Sequence, residues 1–144
     1  MTINDIYDTS RFVTAQENVY EHALTELKDG QKCGHWMWFI FPQVEGLGHS
    51  STAEFYAIKS KAEAQEYLRH QILGPRLREC TEAMLAIEGK TALQILGDPD
   101  YMKFQSSMTL FAYISGPESV FARALDKYYG SERDLKTVYF LTNE

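Results

Sequence analysis

The chain lacks the features that mark membrane, secreted and nucleic-acid-binding proteins. Its longest uninterrupted apolar run, Trp36 to Phe41, is six residues, whereas a bilayer-spanning helix needs about 20. No membrane span is expected. The opening MTINDIYDTS has neither a basic nor an apolar region and does not read as a secretory leader. Two cysteines, Cys33 and Cys80, are too few for a disulfide framework and fit a reduced, cytoplasmic setting. Neither they nor the four histidines show paired ligand spacing, so no metal is expected, and no cofactor. Lys and Arg are scattered and the net charge is −6. The basic stripe that phosphate contacts demand is missing, which argues against a nucleic-acid partner. Valine is scarce and no Asn-Gly or Asp-Gly turn separates alternating apolar runs, so hairpin-built sheets are excluded.

What is present is ordinary in amount and helical in pattern. A chain of 144 residues, 44% apolar and 24% charged, fits one globular domain spanning residues 1–144. Ser10 is positioned to cap a first helix reaching Leu27, with Phe12, Val19, Tyr20, Ala23 and Leu27 on one face. Ser51 with Glu54, Ser60 with Glu63 and Thr91 with Gln94 match the capping-box spacing. Pro75, Pro99 and Pro117 sit where first helical turns would begin, and Gly89, Gly97 and Gly130 where helices would end. The expected architecture is an all-α, compact single-domain bundle of about seven short helices. The sequence sets no oligomeric state.

Within this pattern HWMWFIFPQ, His35 to Gln43, is apolar on every helical face, which implies a buried core helix. Its polar ends, His35 and Gln43, leave room for a second role, with indoles offering a flat surface for a ligand ring. The loop VEGLGHS, Val44 to Ser50, is expected to lie against it. Gln16 stands inside the apolar stripe of the first helix, where a buried amide must find partners in an irregular backbone segment or a ligand. Ser106, Ser107 and Thr109 interrupt another apolar helix, with Lys103 on roughly the same face. Small residues allowing close helix packing explain them better than a Ser–Lys nucleophile pair, since no oxyanion loop is recognisable. Arg78 with Glu82 and His22 with Glu26 read as solvated faces.

RFVTAQ, HWMWFIFPQVEGLGHS, YLRHQILGPRLREC, KFQSSMTLF and the segment from Val120 to Asp134 resemble, over nearly the whole chain, a bacterial family of uncharacterised proteins sometimes labelled calpastatin-like. The resemblance implies an all-helical single domain and brings no activity with it. The label implies protease inhibition, yet nothing here resembles an extended disordered inhibitor. In size, helicity and the Phe12-x-x-x-Gln16 spacing the chain is more distantly similar to NADAR-type glycosidases, which act on ADP-ribose linked through nitrogen. That is an analogy of fold class.

Two functional classes follow. The first is an aromatic-lined pocket that binds or hydrolyses a nucleotide-like or ADP-ribosyl small molecule. Trp36, Trp38 and Tyr56 would stack, Gln16 and Gln43 orient, and Arg76 meet an anionic group. His35 is the candidate acid or base, and Lys103 supplies charge. The second is a non-enzymatic interaction or structural module whose aromatic segment is purely core.

Overall fold

The computed structural model describes residues 5–144, so the first four residues of the polar opening lie outside it. The helix expected from Ser10 to Leu27 is two helices, α1 (Ser10–Gln16) and α2 (Tyr20–Lys28). Between them Asn18 adopts φ 62°, a left-handed conformation that asparagine tolerates better than most residues. Ser10 does not cap α1. The Asp5 carboxylate does so, accepting the Thr9 N–H at 2.8 Å and the Ser10 N–H at 3.0 Å. After α2 come α3 (Met37–Ile40), α4 (Ser51–Tyr56), α5 (Lys61–Arg69), α6 (Leu73–Ala86) and α7 (Ala92–Leu96). The chain closes with α8 (Asp100–Ser115), α9 (Val120–Tyr129) and α10 (Leu135–Thr142).

The described residues thus form ten helices where the punctuation predicted about seven. The excess comes from the broken first helix and from one-turn pieces too short to show a period. The only β-structure among the described residues is an isolated parallel bridge between Val44 and Ile58.

Capping follows sequence where it is purely local. Thr91 and Gln94 form the full reciprocal box at α7. Ser60 caps α5, but the Glu63 carboxylate turns to the Lys59 N–H and to Arg11. The cap of α4 is Ser50, one residue before the expected Ser51. Gly130 ends α9 in the left-handed region, φ 59°.

Helix α8 forms the spine of the molecule. It packs against α5, α7, α9 and α10, while α6 packs against α2, α5 and α9. Phe104, Met108 and Phe111 of α8 are buried against Phe121 and Leu125 of α9 and Leu77 and Met84 of α6 in one continuous core. Each such side chain contributes about 1.5–3 kcal/mol through burial. To one side, α1 packs on α3 and α3 on α4. No helix among the described residues is long and apolar enough to cross a membrane.

Candidate functional site

The aromatic segment is helical only from Met37 to Ile40, and its side chains divide between inside and outside. Trp36 is 2% exposed, and its indole N–H donates to the Glu26 carboxylate at 2.9 Å. The same oxygen accepts the N–H groups of Cys33 (2.8 Å) and Gly34 (3.0 Å). Burial alone would push the Glu26 carboxyl up, but these donors together with Lys32 outweigh it and hold the carboxyl below its ordinary value. Glu26 is therefore a structural anchor, which corrects its reading as part of a solvated face. Gly34 is required here, because a Cβ would sit 2.9 Å from the Trp36 ring.

Trp38, two residues on, is half-buried and faces outward. The Lys103 ammonium lies 4.1 Å from its ring centroid, and the Lys32 ammonium 5.0 Å from that of Trp36. One carboxylate tethers both lysines: Asp100 is 2.7 Å from Lys32 and 3.5 Å from Lys103.

Trp38 and Lys103 form one wall of a cleft of about 790 Å³. Gln43, Met102 and Ser106 line it beside them, the 47–50 loop faces it, and Arg133, Asp134 and Lys136 close the far end. Asp134 spends its carboxylate capping α10, accepting the Thr137 N–H at 3.0 Å. Glu132 and Asp134 offset two of the three cations Lys103, Arg133 and Lys136, so the cleft keeps a small cationic surplus although the chain is acidic. Glu45 and Gly46 form a hydrogen-bonded turn that engages the Leu47 N–H, and among the described residues the backbone N–H groups from Gly48 to Ser50 donate to no protein acceptor. Such a run of free donors is a feature of anion-binding loops.

A second hollow, of about 600 Å³, lies beyond Trp38 and is lined by His35, Phe39, Phe55 and Tyr56. A neck of about 10 Å³ shares Trp38, Gln43, Gly48 and Ala53 with the cleft, and Trp38 and Tyr56 with the second hollow.

The expected site residues do not converge on one void. Trp38, Gln43 and Lys103 meet at the cleft; His35 and Tyr56 share the second hollow with Trp38. Trp36, Gln16 and Arg76 line neither. Gln16 is 2% exposed; its amide donates to the Phe39 carbonyl at 2.7 Å and to the Tyr67 hydroxyl at 3.2 Å, and accepts from Arg76 at 3.2 Å. Arg76 also lies 4.6 Å over the Tyr20 ring, and the Tyr20 hydroxyl donates to Glu79. This network is a strut between α1, α3, α5 and α6. Burial pushes the neighbouring Cys80 thiol up to about 12, which keeps it an inert, protonated core residue. Arg78 and Glu82 do not pair: Arg78 reaches the Leu68 carbonyl, and Glu82 lies 3.8 Å from Arg123.

In α8 the hydroxyls of Ser106 and Thr109 donate to the carbonyls four residues back, of Met102 and Gln105, and Ser107 is fully buried. These are packing roles. Arg133, Lys136 and His49 escaped the sequence reading because no local pattern brings their segments together. The glycines of VEGLGHS were the one available signal for the loop's free donors. Among the described residues no group of three or more His, Cys, Asp or Glu could hold a metal ion.

A family model described as a protein of unknown function, DUF1810, matches residues 6–141. Among solved structures, the chain is similar to the conserved hypothetical protein Rv1873 from Mycobacterium tuberculosis. The identity is 48% and the TM-score 0.94, over 96% of this chain and 99% of that one. No curated protein matches.

Proposed function

The chain belongs to the DUF1810 family of proteins of unknown function, and from that premise we propose that it binds a small molecule in the cleft beside Trp38. The ligand would be a nucleotide-like or ADP-ribosyl compound with a flat ring and an anionic group. The observation behind this reading is the Lys103 ammonium 4.1 Å over the Trp38 ring, at the wall of a cavity of about 790 Å³. That volume is within the usual range for small-molecule sites. A ring that takes the place of the Lys103 ammonium on the indole face would contribute about 1–3 kcal/mol, the displaced ammonium turning to the ligand's anionic group. Its phosphate would meet Lys103 and Lys136 on one side and the free N–H groups of residues 48–50 on the other. His35 and Lys103 line different hollows, and the Ser106 hydroxyl is held by a carbonyl. With no acid–base pair brought to one bond, binding is proposed and hydrolysis is not.

A thermal-shift series with AMP, GMP and ADP-ribose tests this. A ligand at about one hundred times its Kd adds about 2.7 kcal/mol, which for a domain of this size raises Tm by about 5–10 °C. Lys103→Met should markedly reduce the shift while leaving the unliganded Tm nearly unchanged. A flat response of the unmodified protein across the panel rejects the proposal.

The alternative, an interaction module, draws on Leu135 and Tyr139, one turn apart on α10 and 81% and 70% exposed. It predicts concentration-dependent self-association in light scattering, lost in Leu135→Ser. A monomer at every concentration would count against it.

A further inference from the structure

The single indole of Trp38 is a wall of both the cleft and the second hollow, and the small void of the neck shares lining residues with each. We infer that they form one bipartite site, whose ligand carries two ring systems joined by an anionic linker, as in a dinucleotide pyrophosphate. This rests on the binding role proposed for the cleft.

In the second hollow Phe39 and Tyr56 also pack on the core, whereas Phe55 does not. Phe55 is 54% exposed, yet it packs edge-on to Tyr56 with centroids 4.8 Å apart, and Tyr56 meets Phe39 at 5.4 Å. Each hollow is within the volume of a ligand site, and each offers a ring to stack on. The 46–50 loop borders the cleft, its N–H groups from Gly48 to Ser50 unpartnered, and Gly46 and Gly48 line the neck itself. The lining is thus aromatic, then anion-seeking, then aromatic.

The neck of about 10 Å³ holds roughly one water, so a linker requires its roof to lift. The roof is the arm from Glu45 to Ala57. Its base is closed by two backbone bonds, Glu45 N–H to Ile58 at 3.0 Å and Ile58 N–H to Gln43 at 2.8 Å, and its helix α4 contains no buried residue. Arg11, paired with Glu63 at 2.6 Å, holds the far end by donating to the carbonyls of Phe55 and Ala57. Opening is therefore confined to the glycine end, where it must free Leu47, the one side chain of residues 46–50 packed on the core.

The test is calorimetric titration of the full chain with AMP and with diadenosine pyrophosphate. The dinucleotide should bind about tenfold to hundredfold tighter, the gain from a second stacked base. Phe55→Ala should bring its affinity down towards that of AMP, while Lys103→Met should weaken both probes. AMP binding with no dinucleotide advantage, or an advantage that survives Phe55→Ala, overturns the bipartite site and leaves the single-cleft reading standing. Failure of both probes to bind overturns both.

Discussion

Trp36 and Trp38 stand two residues apart in an unbroken apolar run and have opposite roles. Each has a lysine over its ring, and both lysines lean on Asp100. Trp36 is sealed in the core and bonded to Glu26, whereas Trp38 faces two hollows. Trp36 precedes the one-turn helix and Trp38 is its second residue, and across that entry turn one indole goes into the core and the other out. The same cation–indole contact therefore serves structure in one place and offers a ligand surface in the other. Where solvent reaches the pair, a ligand can reach it too.

The largest expected break in this comparison is at Trp36. Trp36→Ala should cost about 3–5 kcal/mol in urea unfolding, the range for emptying a buried aromatic site. Glu26→Ala comes next, at about 2–3 kcal/mol, since it leaves the Cys33, Gly34 and Trp36 donors without their shared acceptor. Its acid limb sharpens the point. The Glu26 carboxyl is held below its ordinary value of 4.5 in the fold, so its stabilisation is present above that pH and lost as the pH falls through the folded value. Glu26→Gln should flatten this part of the stability profile; an unchanged acid limb would remove Glu26 as the anchor.

Trp38→Ala should cost about 1–2 kcal/mol, less than Trp36→Ala, because the ring is only partly buried and its loss opens onto the cleft and leaves no closed cavity. The smallest effect is at the contact itself. A double-mutant cycle on Trp38 and Lys103 should yield about 0.5–1 kcal/mol, the size of a solvent-accessible cation–π pair. A coupling near zero would mean that the lysine is held by Asp100 alone.

The helical class was legible because caps and stripes are local: Thr91 with Gln94, and Gly130 after α9, needed no tertiary information. The break at Asn18 was masked by an apolar stripe that continues in phase across it. Gln16 was legible as a buried amide in need of partners, but these are neither an irregular segment nor a ligand: they are the Phe39 carbonyl of the one-turn α3, the Tyr67 hydroxyl and Arg76. The split between Trp36 and Trp38 could not be read, since a segment apolar on all faces has no period to say which face turns out. The cleft's far wall at Arg133 and Lys136 is brought to Trp38 only by the packing of α10 on α8.

The central claim is tested most directly by the two indole N–H resonances in a ¹⁵N-correlated NMR titration with AMP. The Trp38 resonance should move with saturation while that of Trp36, locked to Glu26, stays in place. Two stationary signals at millimolar nucleotide, or movement confined to Trp36, would contradict the account.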